Sequence, residues 1–154
     1  MSDSTQYLSQ DKYQALRSEL RELRSVQIPS IAKRIDEARQ MGDLSENAEY
    51  HAAREEMSWA QSRAKEIEHI LDNAEMIAHD GNQQTVGIGS SVVVKAGKTD
   101  REFTIVGAQE ADPIAGKISN ESPLGQAFLG KKKGDRVEVR VPAGTQVYEI
   151  LEIK

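Results

Sequence analysis

The sequence predicts an α+β protein: a long antiparallel α-helical coiled-coil hairpin over residues 1–79, then a small α+β domain with an antiparallel sheet over residues 80–154. Three observations carry that reading. The composition changes near Asp80-Gly81-Asn82, from Ala, Leu, Glu, Arg and Gln to frequent Gly with Val and Ile as the main apolar residues. Before that point apolar residues recur in steps of three and four; after it they alternate in steps of two.

The first helical arm carries Tyr13, Leu16, Leu20 and Leu23 in one rhythm and Ile28, Ile31, Ile35 and Ala38 in another. The phase slips by one residue between Leu23 and Ile28, beside Pro29. A proline inside a helix lacks the amide hydrogen and crowds the preceding turn, so a kink is expected there. The second arm has the cleaner seam: Tyr50, Ala53, Met57, Ala60, Ala64, Ile67, Leu71 and Ala74, an a/d pattern sustained over successive heptads. Between the arms lies Met41-Gly42-Asp43-Leu44-Ser45, with Gly42 placed to end the first arm in a left-handed conformation. So short a connection requires antiparallel arms, each about 45 Å long at ~1.5 Å per residue.

In the second half, Val92-Val93-Val94 and Phe103-Thr104-Ile105-Val106 read as strands. Val137, Val139 and Val141 alternate with Glu138 and Arg140, the pattern of a half-buried strand, and Pro142-Ala143-Gly144 turns the chain into a last strand from Val147 to Ile153. Ser122-Pro123 opens a short helix, with Ser122 as N-cap, Leu124, Ala127 and Phe128 inward, and Gly130 as the stop.

Composition narrows the chemistry. The 154 residues contain no cysteine, which excludes disulfides, thiolate metal sites and cysteine nucleophiles. A net charge of −5 is the wrong balance for a protein that grips nucleic acid unaided, leaving a local patch or a partner to do the holding. No apolar stretch is long enough to span a bilayer, so no membrane partner is expected. His51, His69 and His79 have no metal-binding spacing, Trp59 lies off the helical seam, and no Ser-His-Asp set appears.

The segment from Gly42 to Tyr50 holds the residues of interest. Asp43 followed three residues later by Glu46 has the form of a capping box, with Ser45 an alternative cap. Acidic side chains also suit the positive end of a helix. The competing reading starts from location, at the far end of the hairpin, where two carboxylates can enter a distant cavity and hold magnesium or orient a water. Two acids are too few for a self-sufficient nuclease but enough to complete a site half built by another protein.

The run Ala38-Arg39-Gln40-Met41-Gly42-Asp43-Leu44-Ser45-Glu46-Asn47-Ala48-Glu49-Tyr50-His51-Ala52-Ala53-Arg54-Glu55 closely resembles the tip signature of the Gre family of bacterial transcript cleavage factors, in its GreA branch. The resemblance extends through Ser25-Val26-Gln27-Ile28-Pro29, Ile105-Val106-Gly107, Ser119 to Gly125 and Leu129-Gly130-Lys131. It implies a hairpin that enters the secondary channel of bacterial RNA polymerase and an FKBP-like second domain that docks on the channel rim. Asp43 and Glu46 would then help hold a Mg2+ shared with the polymerase and activate the water that cuts the nascent RNA 3′ end. Arg39 and Arg54 would contact the extruded RNA, and Ser122, Pro123 and Leu124 would lie near the docking surface.

The expected protein is thus a cytoplasmic accessory to the polymerase, with no tightly bound cofactor and no nuclease activity of its own. A Gre-like channel regulator that inhibits without stimulating cleavage is the nearest rival, and a coiled-coil adaptor is another. Lys33 and Arg34 are expected to be plain surface, and Lys131-Lys132-Lys133 a solvated loop.

Overall fold

The computed structural model describes residues 4–43, 45–77 and 84–154. By internal contacts the chain falls into two compact units, Asp11–Asn73 and a second made of Ala74–Lys154 together with Met1–Gln10. The boundary expected at residues 79 and 80 lies outside the described residues, as does the Asp80-Gly81-Asn82 transition. The first ten residues, counted with the hairpin from sequence, group instead with the sheet unit.

The hairpin consists of α1 (Gln10–Glu22), a π-helical turn (Leu23–Gln27), α2 (Ile28–Arg39) and α3 (Ala48–Asp72). Its arms run antiparallel: Arg34 pairs with Glu56 nearer the tip and Arg24 with Glu68 farther down. Leu16, Leu23, Ile31 and Ala38 are buried on the first arm, Tyr50, Ala53, Ala60, Ala64, Ile67 and Ile70 on the second. Three of those six are alanines, which let the helices approach closely while burying little apolar area per position. Ion pairs flank this thin seam. Arg63 donates to Glu19 at 2.8 Å across the hairpin and to Glu66 at 2.8 Å along α3. Its charge holds the Glu19 carboxyl below the usual range, chiefly through that hydrogen bond.

The one-residue phase slip appears as the π turn. The Ile28 amide donates to the Leu23 carbonyl, five residues back, so this turn contains one residue more than an α turn. The insertion keeps both Leu23 and Ile31 inward. It also widens the turn ahead of Pro29, which lies in continuous right-handed helical backbone and lacks the amide hydrogen that a regular α turn would use. The irregularity expected at the proline is therefore a change of helical winding.

At its C-terminal end α3 departs from the sequence pattern. Ile70 is buried, Leu71 is half-buried, and Ala74 has left the helix for a strand. The Glu68–Arg24 pair places the π turn beside this end of α3. Asn73 ends α3 by donating through Nδ2 to the His69 carbonyl at 2.8 Å.

In the sheet unit, β1 (Gln6–Leu8) pairs in parallel with β2 (Ala74–Met76). The main sheet contains β3 (Ser91–Ala96), β4 (Thr99–Val106), β5 (Lys117–Ser119), β6 (Arg136–Val141) and β7 (Gly144–Ile153), in the order β5-β4-β3-β7-β6. The sheet is antiparallel as expected except at one edge, where β5 runs parallel to β4. Val92, Val94, Ile105, Val137, Val139, Tyr148 and Ile150 build its core with Ile118 and Phe128. Helix α4 (Pro123–Phe128) covers it, Leu124 and Ala127 packing beside the fully buried Phe128.

The N-terminal strand is tied to this unit by specific contacts. Ser9 donates to Glu110 twice, through its amide at 2.9 Å and its hydroxyl at 2.6 Å. A Cβ on Gly107 would sit 1.7 Å from the Tyr7 carbonyl oxygen, so only glycine admits β1 there. None of these contacts announces itself in the sequence, because they join residues about a hundred positions apart.

Candidate functional site

The tip of the hairpin is built from the last turn of α2, a connection of irregular backbone and the first turn of α3. Helix α2 ends at Arg39, and Gly42 takes a φ of 113°, the left-handed region expected of it. Leu44 lies outside the described residues. Asp43 and Glu46 are both exposed.

Neither acid caps the second arm. That role belongs to Asn47, whose Oδ1 accepts from the Tyr50 amide at 3.1 Å. The Asn47 side-chain amide donates in turn to the Ala38 carbonyl at 2.9 Å, fastening the start of α3 to the end of α2. The capping-box reading of Asp43 and Glu46 is thereby corrected: α3 begins at Ala48, too late for Asp43 or Ser45 to reach its first amides. The physical cause is that Asn satisfies an orphan helix donor as well as Asp or Ser does, and its amide, unlike a carboxylate, can also donate backwards.

Asp43 instead closes a local turn. Its Oδ1 accepts from the Ser45 amide at 3.0 Å and from the Ser45 hydroxyl at 2.7 Å. The two bonds hold its carboxyl below the usual aspartate value, the hydroxyl bond being the larger influence. Both fall on one oxygen, and Oδ2 has no hydrogen-bond partner among the described residues. The turn thus keeps Asp43 ionised and orients it while leaving one oxygen for another group.

Beside this turn stands an aromatic–arginine cluster. Tyr50 is 8% exposed, and the guanidinium carbons of Arg39 and Arg54 lie 6.0 and 5.7 Å from its ring centroid. Arg54 also donates to the Tyr50 hydroxyl at 3.1 Å. Hydrogen bonding with Arg54 and then Arg39 draws the phenol below its ordinary value. His51 meets the same ring edge-on at 5.6 Å, and its Nε2 lies 3.4 Å from the Ser45 carbonyl. The structure therefore brings together Arg39 and Arg54, two residues fifteen positions apart in sequence, through a tyrosine that the pattern shows only as a seam position.

The remaining candidates lie elsewhere. Ser122 caps α4 by accepting from the Gly125 amide at 3.1 Å, and its hydroxyl donates to the Ser119 carbonyl at 2.6 Å. Pro123 is exposed, whereas Ser122 and Leu124 are half-buried, Leu124 against the sheet core. Lys131, Lys132 and Lys133 are exposed, and the Lys132 amide donates to Asp135 at 2.8 Å in a loop. Lys33 lies 4.0 Å from Glu37 along α2, while Arg34 reaches Glu56 across the hairpin. Trp59 is 61% exposed, and His69 sits at the other end of α3. His79 lies outside the described residues, among which no three His, Cys, Asp or Glu side chains gather as a metal cage. No helix there is long and apolar enough to cross a membrane.

Two family models match nearly the whole chain. The N-terminal transcription elongation factor model matches residues 6–76, and the C-terminal GreA/GreB transcription elongation factor model matches residues 81–154. A transcription elongation factor GreA of Paracoccus denitrificans (strain Pd 1222) is 46% identical over 144 residues, 92% of each chain. One of Streptococcus mutans serotype c is 42% identical over 157 aligned positions, covering 100% of this chain and 98% of its own. Among solved structures, GreA factor homolog 1 of Thermus thermophilus is 25% identical over 97% of this chain and 99% of its own, with a TM-score of 0.45.

Proposed function

The chain belongs to the GreA/GreB family of transcription elongation factors, and from that membership we propose that it rescues backtracked RNA polymerase by stimulating cleavage of the nascent RNA 3′ end. The supporting observation is the tip turn. Asp43 is held ionised by Ser45, exposed, and left with one carboxylate oxygen uncommitted among the described residues. A carboxylate used only as a helix cap would spend its acceptors on the helix, and here Asn47 does that work.

The partner is bacterial RNA polymerase. The hairpin tip enters its secondary channel, and the sheet unit docks on the rim by the surface around Ser122, Pro123 and Leu124. Asp43 and Glu46 supply oxygen donors of the kind that Mg2+ prefers, and two such donors suit an ion shared with a second protein. When bound, that ion would polarise a phosphate oxygen and lower the pKa of water. This chain's residues orient the carboxylates, keep Asp43 deprotonated and place positive side chains for the RNA. Its role is that of a polymerase accessory in the cytoplasm, without nuclease activity of its own.

The experiment is RNA cleavage in a stalled, backtracked elongation complex, comparing wild type with Asp43→Asn and Glu46→Gln. Asp43→Asn retains an acceptor oxygen for Ser45, so loss of cleavage with polymerase binding preserved isolates the charge. A wild type that binds but never stimulates cleavage overturns this reading and leaves the inhibitory channel regulator in its place.

A further inference from the structure

Arg17 of the hairpin lies over the Tyr13 ring at 6.0 Å, and other arginines there pair with acids or gather at the tip. Arg24, Arg34 and Arg63 each reach a carboxylate. Arg39 and Arg54 have no carboxylate within ion-pair distance among the described residues and instead converge on the Tyr50 ring. Two guanidiniums gathered at one ring repel each other, and the negative π face and phenolic oxygen offset that repulsion. The result is a concentrated, unneutralised positive charge held on a nearly buried support.

We propose that Tyr50 is a positioning residue that holds Arg39 and Arg54 together as one clamp for the phosphate backbone of the RNA being cut. The proposal deepens the cleavage reading and rests on it. Arginine recognises phosphate through a planar fork, which is effective only when its direction is set beforehand. Long arginine side chains on exposed helix faces would otherwise surrender rotamer freedom on binding. Tyr50 removes part of that cost in the free protein, because its ring is immobilised in the seam between the arms and its hydroxyl fixes Arg54 directly. An RNA phosphate suits this site better than an acidic protein segment does, since Asp43 and Glu46 on the adjoining turn are directed at the chemistry of that same RNA.

The test uses the full chain with the complete backtracked polymerase complex, titrating wild type, Tyr50→Phe, Tyr50→Leu, Arg54→Ala and Tyr50→Leu combined with Arg54→Ala. Tyr50→Leu should lower the saturating cleavage rate about tenfold, while the half-saturating factor concentration stays unchanged. Tyr50→Phe, which restores the ring, should recover the rate to within about threefold of wild type. Adding Arg54→Ala to Tyr50→Leu should cost little more, because the arginine has already lost its support. A Tyr50→Leu protein as fast as wild type, or losses that multiply in the double variant, would overturn the proposal.

A purely structural role for Tyr50 would weaken polymerase binding and thermal stability along with the rate, and that pattern also counts against it. Should Tyr50→Leu fail to fold, proton NMR of the wild type decides: the Arg39 and Arg54 side-chain protons must be shifted upfield by the ring. Unshifted resonances sink the clamp. A wild type inactive in cleavage refutes the functional reading instead, and the ring-current shifts still report on the clamp.

Discussion

Asn47 donates its side-chain amide to the Ala38 carbonyl at 2.9 Å, closing the hairpin with a bond between the last turn of α2 and the residue that caps α3. The same side chain accepts from the Tyr50 amide, so one residue sets where α3 begins and how the two arms meet. The Asp43–Ser45 turn and the Tyr50 cluster are both built on that junction.

Asn47→Asp and Asn47→Ala should therefore differ. Aspartate preserves the cap to Tyr50 but loses the donor to Ala38 and sets a negative charge against that carbonyl. Alanine loses both bonds. We expect Asn47→Ala to cost about 1–2 kcal/mol of hairpin stability, the usual range for a lost cap. Asn47→Asp should cost less, yet both should impair RNA cleavage. Urea unfolding beside the cleavage assay checks this, and an Asn47→Asp protein with full cleavage would separate the Ala38 bond from function.

Asp43 makes a pH prediction. Its folded pKa lies below the ordinary 3.8, with the Ser45 hydroxyl as the largest cause. A depressed carboxylate stabilises the turn above its unfolded value, and that contribution disappears as pH falls through the folded value. Ser45→Ala removes the hydroxyl bond and keeps the backbone bond, so the Asp43 titration should move upward, towards the ordinary value. Carboxyl carbon NMR across pH 2 to 6, about the range these values span, follows it directly. An unmoved midpoint would show that Ser45 does not tune the acid.

The π turn and Pro29 should be energetically coupled. Deleting Ser25 shortens the Leu23-to-Ile28 interval by one residue, which lets the first arm run as continuous α-helix with its seam in phase. Pro29 would then fall inside a regular helix, at a cost of about 3 kcal/mol. Deletion alone should therefore destabilise the hairpin markedly, and Pro29→Ala in the same chain should restore most of the loss. Thermal unfolding by circular dichroism measures both. Equal stability of the two deletion variants would mean that the proline and the π turn are independent.

Much of this architecture is legible along the chain because its cause is local. The step of threes and fours from Tyr50 to Ile67 marks α3, and the burial of Tyr50, Ala53, Ala60, Ala64 and Ile67 follows it. The alternation of Val137 and Val139 marks β6 in the same way, and Ser122-Pro123 marks the start of α4. Even the phase slip before Pro29 is visible, since a five-residue interval between seam positions needs an extra residue in the turn. The cap was missed although its sign was present: Asn47 directly precedes Ala48-Glu49-Tyr50, a good helix opening with an acid in the first turn.

By itself, then, the sequence determined the two kinds of structure, the antiparallel hairpin and the placing of Asp43 and Glu46 on its turn. Those features depend on residues a few positions apart, whose periodicity selects one backbone geometry. Tertiary structure alone decided that Asn47 fastens itself to the Ala38 carbonyl, that Arg39 and Arg54 share Tyr50, and that β1 joins the sheet unit through Ser9, Glu110 and Gly107. In each of these a side chain had several partners of equal chemical merit, and only packing across distant segments brought one within hydrogen-bond or van der Waals reach.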